Sequence, residues 1–301
     1  MKTVASRWWG LLLIAAVVAA SVACDADRAE AVRHYNEGLQ EYNTGSMSQA
    51  VGMMERALDE DPTFHEAAYT LGQIYQQRMN NPQDAADNYR RALDHAPEEA
   101  RYSYRLGTAL MEMEDYEGAL SRLDDAVEWQ PEDGRIWYAH GRANEALGQF
   151  TQAVESFTQS IQNEPRLRMD ADDPGGEHYH ALGDLYHRFR LYDHAVQVFE
   201  NGVANNESSP RLFHGLGMAQ LELNRADEAV SSFEAALALD ERYQSAHYNL
   251  AVALNAAERN DEALSKLREL VEDGVGGLSG PRLDAASALL ERLEEQKDTD
   301  E

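Results

Sequence analysis

One cysteine in 301 residues, Cys24, leaves no internal disulfide to be made. Lysine is almost as scarce. Lys2, Lys266 and Lys297 are the only three, so arginine supplies nearly all of the 26 basic residues set against 54 acidic ones. The formal net charge of −28 excludes nucleic acid as a partner, because phosphate must be neutralised by basic surface. It equally disfavours adhesion of the protein surface to an anionic membrane. Catalytic signatures are missing too: there is no Gly-rich phosphate loop, no nucleophile elbow and no HExxH pair. The sequence therefore implies neither an enzyme nor a cofactor. Long apolar runs are also lacking. The longest, residues 8–20, falls short of the roughly 20 residues that span a bilayer.

That short run has a different reading. Lys2 and Arg7 precede it, and Ser21-Val22-Ala23-Cys24 follows it, which is the layout of a signal peptide over residues 1–23. The ending resembles the lipobox of bacterial lipoproteins, in which a small residue precedes the cysteine that is acylated and becomes the mature N-terminus. This resemblance implies lipidation at Cys24 and a place in the bacterial cell envelope, facing the periplasm or the exterior, with the lipid as the only membrane contact. Asp25 resembles an inner-membrane retention signal. Cleavage after Ala23 by ordinary signal peptidase would instead release a secreted protein, since Ser21 and Ala23 are both small. Residues 24–30 are then a short linker.

Beyond the linker, small residues recur at a fixed interval. Gly38, Gly72, Gly107, Gly141, Gly183, Gly217 and Ala251 are separated by 34, 35, 34, 42, 34 and 34 residues. Ala50, Ala85, Ala119, Ala153, Ala195, Ala229 and Ala263 run in parallel. Large residues fall between them at helical spacing, as in Tyr179, Leu182, Gly183 and Tyr186, followed by Ala195, Phe199 and Gly202. Helix backbones must approach closely at the small positions. A period of this length means stacked helical hairpins.

The unit resembles the tetratricopeptide repeat. Ala68, Leu71, Gly72, Tyr75, Ala85, Tyr89, Ala92 and Pro97 follow that family's pattern in the second copy. Copies start near Ala31, His65, Ala100, Gly134, Gly176, Pro210 and Gln244. The fold expected is all-α: a right-handed superhelical solenoid of about seven helix-turn-helix repeats over 31–275, plus a C-terminal capping helix. An insertion near 166–176 precedes the fifth copy. Its Asp170, Asp172 and Asp173 loosely resemble a calcium loop, but Pro174 interrupts it and the completing glutamate is out of place, so it reads as a solvated acidic loop. Residues 276–301 comprise a Gly-rich break, the capping helix over 281–296 and an acidic tail. Departures from the pattern are Glu37 and Glu41 in the first copy, and His140 and Asn144 in the fourth, which require hydrogen-bond partners if packed.

The resemblance implies a concave groove lined by positions 2, 5, 9 and 12 of each first helix. Position 5 reads Tyr35, Tyr69, Tyr104, Tyr138, His180, His214 and Tyr248, a stripe suited to peptide contact. Arg101, Arg105, Arg135 and Arg142 add cations to that face. They either attract an acidic segment of a partner or pair with the protein's own carboxylates. Only half of the family's carboxylate clamp is present, since Tyr35, Leu39 and Thr70 stand where its other half belongs. His180, Asp184 and His187 fall at i, i+4 and i+7, with His214 at the equivalent place in the next copy. These are zinc-type residues but not a known motif. The leading expectation is a non-catalytic, membrane-anchored envelope scaffold that binds another protein or peptide in its groove, in the assembly of an envelope or pilus complex. The alternative is a metal-binding or metal-dependent periplasmic protein using the His-rich fifth copy.

Overall fold

The computed structural model describes residues 26–163, 176–205, 208–272, 274, 277 and 279–300. The signal segment, Cys24, and Asp170, Asp172 and Asp173 of the insertion lie outside the described residues. Fifteen helices and no strand are present among the described residues. Helix α1 covers 26–44 and pairs with α2 (Met47–Glu60). The hairpins α3 (His65–Gln77) with α4 (Pro82–His95), and α5 (Ala100–Glu112) with α6 (Tyr116–Trp129), follow, then α7 (Gly134–Ala146) and α8 (Phe150–Gln162). After the insertion come α9 (Gly176–Arg188) with α10 (Tyr192–Asn205), α11 (Pro210–Glu222) with α12 (Ala226–Leu239), and α13 (Gln244–Ala256) with α14 (Asn260–Val271). Helix α15 (Pro281–Asp300) ends the order. The structure is thus an all-α repeat solenoid.

The glycines at fixed spacing mark where one helix of a hairpin accepts a large side chain from the other, a ring in several copies and Leu123 at Gly107. A Cβ at Gly72 would sit 2.6 Å from the Tyr89 ring, and one at Gly183 would sit 2.6 Å from Phe199. Both rings are buried. Tyr89 keeps its polar end satisfied by donating to Gln76 Oε1 at 2.9 Å, while Gln76 Nε2 donates to Glu112 at 2.8 Å. Burial pushes the Tyr89 phenol well above its ordinary range.

Each intra-copy turn is closed in the same way. One residue takes a left-handed backbone: Gly45, Asn80, Glu114, Gly148, Arg190, Asn224 and Glu258. The next amide then bonds back to a carbonyl in the last turn of the first helix, as Asp115 N does to Leu110 O at 3.0 Å and Leu191 N to Tyr186 O at 2.9 Å. This is Schellman-type termination. The single 35-residue step comes from one extra residue before the turn at Asn80. Two second helices are capped by side chains: Asn81 accepts from Asp84 N, and Asp115 from Gly118 N.

The contacts divide the chain into two compact units, up to Gln149 and from Phe150 onward. The division falls within the fourth copy, whose first helix carries His140 and Asn144 at usually apolar positions. Those two find hydrogen bonds inside the first unit: His140 Nε2 lies 2.9 Å from Asp124, and Asn144 Nδ2 donates to the His140 carbonyl at 2.9 Å. One core cluster of the first unit lies around Met54, Leu58, Phe64, Leu71 and Tyr102, and others lie around Tyr89 with Leu106, Ile136, and Leu123. The second is centred on Phe199 and Leu212, then on Phe233, Leu250, Leu264 and Leu267.

Both ends of the described chain differ from expectation. Residues 26–30, expected as linker, are helical, because Arg28 bonds Asp61 at 2.6 Å and lies 4.0 Å over the Phe64 ring, which pins an extra turn. Glu37 pairs with Arg33 instead of packing. At the other end α15 continues to Asp300, held by Lys297 to Asp261 (2.8 Å) and Arg268 to Glu294 (2.6 Å). Its Leu290 and Leu293 are buried against the last hairpin, with Leu283 and Leu289 partly so.

Candidate functional site

In the first unit, α1, α3 and the start of α5 enclose a cavity of about 210 Å³. It is lined by Tyr35, Leu39, Tyr42, Glu66, Tyr69, Thr70, Gln73, Arg101 and Tyr102. Leu39, Tyr42, Glu66 and Gln73 stand at positions 9, 12, 2 and 9 of their copies, so the groove register assigns them to this face. The rings brace one another. Tyr69 stacks on Tyr102 with centroids 4.6 Å apart, and Tyr35 leans on Phe64 at 5.0 Å. Polar ends are tied down: Gln73 Nε2 donates to the Tyr69 hydroxyl at 3.1 Å, and the Tyr102 hydroxyl lies 3.0 Å from His65 Nδ1. Burial pushes the Tyr102 phenol up to about 12, with Arg101 opposing the shift. The result is a wall with flat apolar faces and few rotamers to freeze on contact.

Arg101 sits at the rim. Its guanidinium is 5.4 Å from the Tyr69 ring and 5.0 Å from the Tyr102 ring, and Nε donates to Glu99 at 2.9 Å. Beyond it a polar cleft of about 470 Å³ is bordered by Glu98, Glu99, Trp129 and Glu132, with the indole of Trp129 half-exposed. The neighbouring Trp137 donates its Nε1–H to the Pro131 carbonyl at 2.7 Å.

The remaining expected cations do not gather on one point. Arg135 makes a two-pronged bond to Asp133 (3.0 and 2.7 Å), and Arg142 Nε lies 3.6 Å from Glu145. Burial would raise the Asp133 carboxyl, but Arg135 holds it below the usual range. Arg105 lies 5.6 Å over the Tyr104 ring and has no carboxylate within 4.0 Å among the described residues. Arg101 and Arg105 therefore engage different partners, although they are one turn apart. Tyr104 and Tyr138 are half-buried.

In the second unit the stripe is built from other chemistry. The His180 ring meets Phe199 edge-on at 6.1 Å. His214 contacts Phe233 (5.6 Å) and Tyr243 (4.9 Å), and its Nε2 accepts from Asn249 Nδ2 at 2.9 Å. Burial pulls His214 down to about 4, helped by the charges of His180 and Arg282. Tyr248 is half-buried in the core beside α15. The expected quartet of metal-type residues is not assembled. Asp184 turns to Arg188 at 3.4 Å, and His187 packs edge-on against Tyr192 at 5.3 Å. Among the described residues, no group of three or more His, Cys, Asp or Glu side chains is placed to hold a metal ion. The metal alternative has no site among them.

Sequence reasoning missed Tyr102 and Trp129. Tyr102 stands at position 3, outside the groove register, yet it lines the cavity, stacked on Tyr69 and with its hydroxyl 3.0 Å from His65 Nδ1.

Four sequence models of the tetratricopeptide repeat match residues 77–143, 134–166, 179–211 and 214–276. None of the curated proteins matches the chain. Among solved structures, the chain is similar to MamA of Desulfovibrio magneticus RS-1, at 21% identity over 60% of this chain and 96% of that one, with a TM-score of 0.53. It is similar to YrrB, described as a TPR protein with an unusual peptide-binding site, at 21% identity over 62% and 92%, TM-score 0.51. It is also similar to the APC/C hetero-tetramer Cut9–Hcn1, at 16% identity over 75% and 43%, TM-score 0.54. Likeness at these identities is likeness of fold.

Proposed function

Because this chain belongs to the tetratricopeptide repeat family, we propose that it is a non-catalytic scaffold whose first unit binds an extended segment of another polypeptide. The observation that carries this reading is the tyrosine-walled cavity on α1, α3 and α5, with Arg101 at its rim. A cavity of about 210 Å³ suits one large apolar side chain of a partner, and braced rings lose little entropy when it enters. The peptide-binding site of YrrB supports the same use of the fold. We place the scaffold in a bacterial envelope, tethered by lipid at Cys24 and working in the assembly of an envelope or pilus complex. The support for that address is the sequence Ser21-Val22-Ala23-Cys24 after an apolar run.

Two experiments test the proposal. Cross-linking in native envelopes, followed by capture, should yield a partner whose recovery falls when Tyr69→Ala or Arg101→Glu is introduced. A partner retained at full yield by both variants would place binding elsewhere. Cys24→Ser should move the protein from the membrane fraction to the soluble fraction, and unchanged fractionation would rule out the lipid tether.

A further inference from the structure

The cleft beside Arg101 is acidic, and the tyrosine cavity does not account for it. It is built where copies join, from 98–101 at the start of α5 and 129–132 at the end of α6, and not from the tyrosine stripe. Its volume of about 470 Å³ is lined by one guanidinium, Arg101, and by the three carboxylates of Glu98, Glu99 and Glu132. Arg101 is committed to Glu99 at 2.9 Å. Glu98 and Glu132 have no cation within 4.0 Å among the described residues. Trp129, the last residue of α6, is 49% exposed and makes no ring contact or side-chain hydrogen bond among the described residues. Packing does not explain an indole left half in water beside two unpaired carboxylates.

The same chain shows what such a combination holds. Arg28 bonds Asp61 at 2.6 Å with its guanidinium 4.0 Å over the Phe64 ring. Arg101 bonds Glu99 with its guanidinium 5.0 Å from the Tyr102 ring. In both, a carboxylate fixes the guanidinium fork and an aromatic face lies against it. The cleft presents those two parts again in Trp129, Glu98 and Glu132, and tryptophan is the strongest of the aromatic faces.

We propose that this cleft binds an arginine side chain of a basic polypeptide segment, with the guanidinium on the Trp129 face and its N–H groups donating to Glu98 and Glu132. The charges are complementary, because a chain with 54 acidic and 26 basic residues draws a cationic segment toward itself. The polypeptide-binding reading supplies only the source of the arginine. The cleft shares Arg101 with the tyrosine cavity and none of the cavity's other residues.

The test is fluorescence anisotropy of the whole protein with a labelled decapeptide of Arg, Gly and Ser at about 100 mM salt. Binding should weaken about fivefold or more in Trp129→Ala and in the double variant Glu98→Gln with Glu132→Gln. Trp129→Phe should recover part of the loss. A Lys-for-Arg peptide should bind the unaltered protein about threefold or more weakly. Glu200→Gln with Glu228→Gln removes the same two charges from exposed positions of the second unit, so its effect should stay within about twofold. Tyr69→Ala should leave the affinity unchanged. Absence of binding, full affinity in Trp129→Ala, or equal losses in the two double variants overturns the proposal. A lysine peptide bound as tightly as the arginine one also overturns it, since charge alone would then be read. Binding lost in Tyr69→Ala but kept in Trp129→Ala places the arginine in the tyrosine cavity, which overturns the cleft and leaves the scaffold reading standing.

Discussion

His178 and His214 are held at about pKa 4 by burial, against about 6.5 for an unfolded chain. Between these values the unfolded state binds protons that the folded state refuses. The histidines therefore favour folding fully above pH 6.5, and that contribution drains away as pH falls toward 4. The unfolding free energy from urea titration should drop between pH 7 and pH 5, and His178→Leu should shrink the drop by about 1–3 kcal/mol. Equal losses in both proteins would mean that His178 is already charged in the fold. A second residue-level contrast lies in the glycines. Gly183→Ala puts a methyl group 2.6 Å from the Phe199 ring, so it should lower the melting temperature despite better helix propensity, at a net cost of about 1–2 kcal/mol. Gly52→Ala meets nothing within 4 Å in the interior of α2 and should stabilise by about 0.5–1 kcal/mol.

The helical hairpin is the element that repeats, and its turn holds a correctable strain. Glu114 and Glu258 occupy left-handed backbone that Gly45 and Gly148 occupy without cost. Glu114→Gly and Glu258→Gly should each stabilise by about 0.5–1 kcal/mol in chemical denaturation, one in each unit. A chain stopped before Pro281 should lose stability in its second unit and bind a dye for exposed apolar surface, because Leu264, Leu267 and Leu270 lose the cover of Leu290 and Leu293. At this scale most of the fold was legible. The glycine and alanine series records where Tyr89 and Phe199 pass between backbones, and a steric demand repeated every 34 residues is visible in one sequence. What was not legible depends on long-range placement. Arg28 reaching Asp61 and the stacking of Tyr102 on Tyr69 join residues that no single copy contains. No period encodes such meetings. The metal-type spacing misled because residues sharing a helical face still choose their own partners, as Asp184 chose Arg188.

For the whole molecule, charge and division set the behaviour. A net charge of −28 means self-repulsion in any compact form, and surface pairs such as Arg259 with Glu262 offset only part of it. The melting temperature should therefore rise when salt goes from about 20 to about 300 mM, where screening shortens below 10 Å. A fall would mean that the surface ion pairs outweigh the repulsion. The division into two units carries one more consequence. Trp129 and Trp137, the tryptophans among the described residues, both belong to the first unit. Once the proposed signal segment with Trp8 and Trp9 is removed, intrinsic emission excited at the indole band watches the first unit and is blind to the second. The half-exposed Trp129 lies in the same cleft as Arg101, so a ligand arriving there announces itself by its colour shift, without any label.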